Sequence, residues 1–160
     1  MSKRRKNARR HGRTAHRAKV FISHATADRA RAQRLGRLLR EHGVDYWFSR
    51  EHLVHGQNWY RDIGAALRSC NWLAVIATRA AIRNRWVIEE VTYAVIDRRY
   101  RNKVIPLVFE NCNLKRLAWS IQPVQYLDFR TGWQPGSDRL LKRLGKRPRR
   151  NRRLRVRRGN

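Results

Sequence analysis

The side chains best suited to chemistry are two adjacent glutamates, Glu89 and Glu90, close behind a tryptophan, Trp86. The pattern predicts a helix from Arg85 to about Arg99. At about 100° per residue, Glu90 lies one turn after Trp86 at the edge of an apolar stripe, and Glu89 points away. The stripe consists of Val87, Val91, Ala94 and Val95. A partly desolvated carboxylate can be aimed at a substrate, so Glu90 is our candidate for chemistry. Alternatively, both glutamates only complement the helix dipole.

Short apolar runs alternate with amphipathic segments along the middle of the chain, a pattern typical of α/β folds. Strands are predicted at 19–23, 44–48, 72–77 and 104–108, with a fifth near 124–127. Helices are predicted at about 28–41, from residue 59, at 85–99 and at about 138–144. We therefore expect a flavodoxin-like fold, in which a five-stranded parallel sheet carries helices on both faces.

Ligands of such folds bind beyond the carboxyl ends of the strands. Here those ends are Ser23-His24, Phe48-Ser49 and Ala77-Thr78, and the helix that carries Glu90 begins at the same edge of the sheet. This placement strengthens the case for Glu90 as a site residue.

Several familiar sites are absent from the sequence. It contains no phosphate-binding glycine run and no serine in a nucleophile-elbow pattern. His52 and His55 share a loop without acidic or cysteine partners at ligand spacing, so we predict no metal site. The two cysteines, Cys70 and Cys112, do not form a disulfide or zinc pattern, and we expect reduced thiols.

Three tryptophans, Trp47, Trp59 and Trp86, are predicted near the edge that carries Glu90, together with a loop that contains Gly56. An aromatic cleft with a single carboxylate suits a reaction through a cationic transition state. Cleavage of a sugar–nitrogen bond with a pyridinium leaving group is such a reaction. The alternative is that these tryptophans only pack the helices on the sheet.

Charge divides the chain into a middle and two strongly basic ends. The formal net charge is +28; residues 1–19 hold 9 Lys/Arg, residues 139–160 hold 12, and neither segment has an acid. We predict one domain at 18–145 between disordered basic tails at 1–17 and 146–160. Such tails suggest non-specific contact with nucleic acid or an anionic surface, or else a solubilising extension without a partner. With no signal peptide and no transmembrane segment evident in the sequence, we expect a cytoplasmic protein.

The residues Val20-Phe21-Ile22-Ser23-His24, Asp28, Trp47-Phe48, Gly56, Trp59 and Trp86-Val87-Ile88-Glu89-Glu90 resemble a bacterial Toll/interleukin-receptor (TIR) domain over about 18–145. Many bacterial TIR domains cleave NAD+ to nicotinamide and linear or cyclic ADP-ribose, which signals in antiviral defence. The resemblance implies that Glu90 is catalytic and that NAD+ is the substrate, with no cofactor and no metal. The implied substrate-binding residues are Ser23, His24, Ala25, Trp47, Phe48, Gly56, Trp59 and Trp86.

The resemblance also implies that the loop at 49–57 helps to complete a site between neighbouring copies, so that self-association controls activity. Two positions depart from the family pattern: Ser49 stands where many members have an acid, and Ala25 where some have a basic residue. Two rival functions remain open. One is a non-catalytic adaptor that binds other TIR domains, and the other is a TIR-like domain delivered to nucleic acid by its tails.

Overall fold

The computed structural model describes residues 17–49, 59–121 and 125–148; the side chains of Trp59, Tyr60 and Trp119 are outside the description. Gly56 and nearly all of both predicted tails also lie outside the described residues. In the part that is described, no helix is long and apolar enough to cross a membrane.

As predicted, the five strands of the described residues form one parallel sheet; their order is β2-β1-β3-β4-β5. They are β1 (Lys19–Ser23), β2 (Asp45–Phe48), β3 (Trp72–Ala77), β4 (Val104–Val108) and β5 (Leu127–Asp128). The predicted bounds of β1, β3 and β4 are confirmed. The fifth strand was predicted too early, because only Leu127 and Asp128 come into register with the end of β4, at Leu107 and Val108.

The described residues contain four α-helices: α1 (Arg29–Glu41), α2 (Trp59–Ser69), α3 (Arg85–Ile96) and α4 (Trp133–Arg143). Helix α3 stops short of the predicted end, because the carboxylate of Asp97 accepts the backbone N–H of Arg99 and opens a 3-10 turn. Helix α4 starts earlier than predicted. Its first turn contains Pro135, which helices tolerate there because the first backbone N–H groups have no intrahelical acceptor.

Side chains alternate between two apolar layers along β1. Phe21 packs with α2 and α3, whereas Val20 and Ile22 pack with α1 and α4. Successive side chains at the carboxyl ends of the strands are therefore sent to opposite faces. This alternation decides which polar groups can meet at the α3 face.

Both ends of the described domain meet at the turn before β2. The side chains of Arg17 and Lys146 each lie 3.4 Å from the carbonyl oxygen of Gly43. Gly43 precedes β2, so this point is at the amino end of the strands, away from the edge predicted to bind ligands. The partner of the basic tails stays a prediction.

Gly136 in α4 lets the helix sit directly on an aromatic ring, because a Cβ at this position would lie 2.7 Å from the ring of Phe129. Gly136→Ala should therefore lower the free energy of unfolding by about 1–3 kcal/mol, as overpacking does. Urea unfolding measures the effect.

Gly64→Ala in α2 is the matched control, since its added Cβ meets only the flexible end of Arg68 at 3.2 Å. It should be neutral or stabilise by up to about 1 kcal/mol through helix propensity. Equal effects of the two substitutions would contradict the close packing of Gly136 on the ring of Phe129.

Candidate active site

Glu90 is a buried carboxylate, with 3% of its surface exposed. Helix α3 carries it into the layer between the helix and the sheet. The helix start is capped by Asn84, whose side-chain oxygen accepts the backbone N–H groups of Trp86 (3.0 Å) and Val87 (3.2 Å). Because Asn84 already accepts the free N–H groups at the start of α3, stabilisation of the helix dipole does not by itself explain why a glutamate is buried at position 90.

Two serine hydroxyls hold the carboxylate of Glu90. Ser23 at the end of β1 donates to Oε2 at 2.6 Å, and Ser49 directly after β2 donates to Oε1 through a short hydrogen bond. All three residues are buried. Hydrogen bonds to a charged acceptor are stronger than those between neutral groups, and here they fix both oxygens of the carboxylate.

The register of two adjacent strands brings the serines together. Ile22 of β1 pairs with Phe48 of β2, and the backbone N–H of Ser49 donates to the carbonyl of Ile22 at 3.0 Å. The next positions, Ser23 and Ser49, therefore stand side by side on the face that α3 covers. The site thus depends on three elements that are distant along the chain.

The neighbouring glutamate has a different environment. The side chain of Glu89 is 41% exposed and pairs with Arg85 at 2.8 Å, one turn earlier on α3. The helical phase predicted from the sequence is confirmed, since Val87, Glu90, Val91 and Ala94 are the buried residues of α3. Glu89 is therefore a half-exposed ion-pair partner at the edge of the cavity beside Glu90.

A cavity of about 150 Å³ opens beside Glu90 between α2 and α3. Its described lining consists of Ile63, Gly64, Leu67, Trp86, Glu89, Glu90 and Tyr93. Drug-sized ligands usually occupy about 300 Å³ or more, so this space suits a single ring. Residues 50–58, which connect β2 to α2, lie outside the described residues.

The other residues predicted for the site divide between the two faces of the sheet. Trp47 is on the α3 side, stacked on Phe21 at 5.2 Å between ring centroids. Ala25 is buried in the same layer. His24 and Phe48 meet edge to face at 6.0 Å, and Phe48 packs in the α1 layer. The structure therefore brings Ser23, Trp86 and Glu90 together, but not Phe48. Gly56 and the side chain of Trp59 lie outside the description.

Ser49 was missing from the predicted site residues. The sequence places it at the end of a strand and as a departure from the family pattern, whereas the structure shows that its hydroxyl donates to Glu90. The available signal was a hydroxyl residue at the end of each of two strands, Ser23 and Ser49. The register of β1 with β2 must be known before these two serines can be placed side by side, and the sequence alone does not give that register.

A second buried carboxylate, that of Asp28, is held by contacts that stabilise the fold. It accepts a hydrogen bond from Thr78 at 2.6 Å and forms an ion pair with Arg31 at 2.5 Å. These contacts tie the start of α1 to the end of β3. The charge of Asp28 is neutralised by Arg31. Asp28 therefore stabilises the rim, the edge of the sheet formed by the carboxyl ends of the strands, and is not a candidate for catalysis.

Neither cysteine is suited to nucleophilic chemistry. Burial raises the pKa of Cys70 above its ordinary value, and burial followed by the nearby Glu110 raises the pKa of Cys112. The thiolate is the reactive form, so both groups are held in the less reactive thiol form near neutral pH. Among the residues that the structure describes, no group of three His, Cys, Asp or Glu could hold a metal ion.

Comparison with protein families matches residues 20–144 to the TIR domain model. A protein from Methanobrevibacter olleyae, named as a probable 2′ cyclic ADP-D-ribose synthase, is 23% identical over 92 residues. That match covers 57% of this chain and 27% of the relative, so the chain spans about a quarter of that protein's length.

Solved structures share the fold at low sequence identity. The TIR domain of the Toll-related receptor TRR-2 from Hydra magnipapillata has a TM-score of 0.60 at 18% identity, covering 76% of this chain and 89% of that one. A metazoan TIR-STING receptor from C. gigas has a TM-score of 0.64 at 18% identity, covering 80% of this chain and 39% of that one. The TIR domains of the Roq1 resistosome have a TM-score of 0.60 at 17% identity, with 79% and 99% covered.

The hydrogen bond from Ser49 to Glu90 is expected to contribute to the free energy of unfolding. Ser49→Ala leaves a buried carboxylate with one donor fewer, so the free energy of unfolding should fall by about 1.5–3 kcal/mol. In a Glu90→Gln background the same change should cost less, because the acceptor is neutral. Urea unfolding of the four proteins gives the coupling energy, expected at about 0.5–3 kcal/mol.

Ser137→Ala is the control for this cycle. Ser137 is equally buried and donates to the carbonyl of Trp133 at 2.7 Å, away from Glu90. Its coupling to Glu90→Gln should be within about 0.5 kcal/mol of zero. A Ser49 coupling as small as the Ser137 coupling would show that the hydroxyl does not support the carboxylate.

Proposed function

Because the chain belongs to the TIR domain family, whose model matches residues 20–144, we propose that it cleaves NAD+ at the bond between nicotinamide and ribose. The observation that carries the proposal is the carboxylate of Glu90, buried and held by Ser23 and Ser49 beside Trp86. An adaptor that only docks on other TIR domains has no need for a carboxylate fixed in this way.

The carboxylate is held where a substrate can reach it. Ser23 and Ser49 fix the two oxygens of Glu90 beside the cavity, which places an acceptor group where the hydroxyl groups of a ribose would bind. The indole of Trp86 and the apolar side chains of Ile63 and Leu67 line the cavity beside it, where a flat nicotinamide ring fits.

The reaction breaks the bond from C1′ of the ribose to the pyridinium nitrogen. Nicotinamide leaves as a neutral molecule with the bonding electron pair, and positive charge develops on C1′ and the ring oxygen. The fixed negative charge of Glu90 stabilises that charge without having to reorient during the reaction. Water then adds to C1′ and loses a proton to give ADP-ribose. If a hydroxyl of the ADP-ribose adds instead, the product is cyclic.

The relative from Methanobrevibacter olleyae supports a reaction of this class, since it is named as a probable 2′ cyclic ADP-D-ribose synthase. Its identity to this chain is 23%, and the match covers 27% of its length. We extend to this chain the cleavage of NAD+, with formation of a linear or cyclic product. A signalling role in antiviral defence, in the cytoplasm, completes the proposal.

Glu90→Gln preserves the shape of the side chain and removes its charge. Release of nicotinamide from NAD+ should fall by about 100-fold or more, as it does when one stabilising group of a transition state is lost. Chromatographic separation of nicotinamide and ADP-ribose products measures the rate.

Glu89→Gln is the matched control, since it makes the same change one residue away, on a cavity-lining side chain that is 41% exposed and pairs with Arg85 instead of with the two serines. It should keep most of the activity. Equal losses in the two variants would reject the assigned role of Glu90, and a wild-type protein that leaves NAD+ intact under all conditions would favour the adaptor.

We also propose that activity requires self-association. The described cavity is small for a dinucleotide, so its described walls enclose only part of the substrate, and charge stabilisation is weak where water remains. A second copy packed against the loop at 49–57 would enclose it. The net charge of +28 opposes close approach of two copies at low salt.

Specific activity should therefore rise more than linearly with protein concentration. Added salt should move the rise to lower concentration, because it screens repulsion between the basic chains. Initial rates across a wide concentration range, with light scattering on the same samples, test this. Flat specific activity in a confirmed monomer would disprove the requirement for assembly but leave the role of Glu90 intact.

A further inference from the structure

Three aromatic rings cluster at the carboxyl ends of β4 and β5, on the face of the sheet opposite Glu90. The rings of Phe109 and Phe129 stack at 4.7 Å between centroids, and Trp133 meets Phe129 edge to face at 5.5 Å. Sheet hydrogen bonds fix both phenylalanines: Phe109 donates its N–H to Ala77 at 3.1 Å, and Phe129 to Val108 at 2.9 Å. The cluster is therefore held by the rigid part of the fold.

Two arginines of α1 lie over these rings. The guanidinium carbon of Arg34 is 4.1 Å from the centroid of Trp133, and that of Arg31 is 5.4 Å from the centroid of Phe109. A cation over an aromatic face is attracted by the ring quadrupole. The described cavity at this point has a volume of about 330 Å³ and is lined by Ala30, Arg31, Arg34, Phe109, Phe129 and Trp133.

The two arginines differ in whether a carboxylate forms an ion pair with them. Arg31 pairs with Asp28 at 2.5 Å and with Glu110 at 3.4 Å, so acids of the rim balance it. Arg34 is exposed and forms no ion pair with a carboxylate among the described residues. Of the two arginines that line this cavity, Arg34 is therefore the one whose charge is not offset by an ion pair with a described carboxylate.

A stacked guanidinium can bind two kinds of group at once. Its faces stack on planar rings, and its N–H donors lie in the plane and point sideways, where a phosphate can accept two of them. The guanidinium of Arg34 lies over the ring of Trp133 and forms no ion pair among the described residues, so its N–H donors remain for a ligand. The matching ligand has a flat ring next to an anion.

From this geometry we infer that the cavity between α1 and α4 is a nucleotide-binding site. A nucleobase stacks on the Arg34–Trp133 pair, and the adjoining phosphate accepts hydrogen bonds from Arg34. The volume of about 330 Å³ is within the range of pockets that bind small ligands. The same chemistry is present in a free mononucleotide and in an unpaired nucleotide of a single strand. The site is separate from the proposed NAD+ cleavage and does not rest on it.

The test measures AMP binding to the full chain by changes in the indole N–H signals of the tryptophans in NMR spectra. Arg34→Gln and Trp133→Leu should each weaken binding by about 10-fold, the effect of losing one stacking contact. Arg37→Gln is the matched control, because it removes the same charge from an exposed position one turn later on α1 that does not line the cavity. It should change the affinity by less than about 2-fold.

Three further measurements decide the assignment. Inorganic phosphate should bind more weakly than AMP, since it has no ring to stack. Glu90→Gln should leave AMP binding unchanged. A short deoxythymidine oligonucleotide, compared with AMP at high salt to weaken contacts with the basic ends, identifies the source: tighter binding that still requires Arg34 indicates a single strand, and equal binding indicates a free nucleotide.

The proposal is overturned if Arg34→Gln and Arg37→Gln weaken binding equally, because the effect is then general surface charge. It also fails if phosphate binds as well as AMP, if only Glu90→Gln abolishes binding, or if neither AMP nor the oligonucleotide binds. Thermal melting of each variant checks folding, and the exposed Arg34 keeps the test valid if Trp133→Leu does not fold.

Discussion

The candidate site depends on the burial of a carboxylate, that of Glu90, between a helix and the edge of a sheet. An unpartnered buried carboxylate is strongly destabilising, so the fold must bring donors to it. It does so with Ser23 and Ser49, one from the end of each of two neighbouring strands. That arrangement requires the parallel register of β1 with β2 and the capped start of α3. The same donors hold the carboxylate in one position, which is the condition for stabilising charge that appears only during a reaction.

Elements whose bounds depend on the local apolar pattern could be predicted from the sequence. Features that depend on how strands distant along the chain pair in the sheet could not. The bounds of β3 and β4 and the phase of Glu90 come from apolar periodicity, which the sequence displays directly. The position of β5 depends on which residues reach the end of β4, so its register was missed. The role of Ser49 has the same origin, because a serine after a strand is unremarkable until its neighbour across the sheet is known.

Alternation along the strands explains why residues adjacent in sequence serve different faces. Ser23 points to Glu90, whereas the next residue, His24, meets Phe48 on the side of α1. Ser23 and His24 are adjacent in one sequence motif, yet their side chains lie on opposite faces of the sheet. The sheet divides the rim in the same way: Glu90 and Trp86 occupy one face, and Arg34 with its aromatic cluster occupies the other. Two sites can form at one edge without sharing a wall.

The connection from β1 to α1 is anchored at both ends, and this joins the two faces mechanically. At its start Ser23 holds Glu90; at its end Asp28 accepts from Thr78 and pairs with Arg31. Arg31 reaches on to Glu110, which also accepts the backbone N–H of Arg79 at 3.2 Å. The carboxyl ends of β1, β3 and β4 are thus linked by polar contacts rather than by apolar packing alone. Because the contacts of Ser23 and Asp28 are buried and directional, displacement of the 24–28 connection would break contacts on both faces of the sheet, so the position of Glu90 depends on the order of this connection.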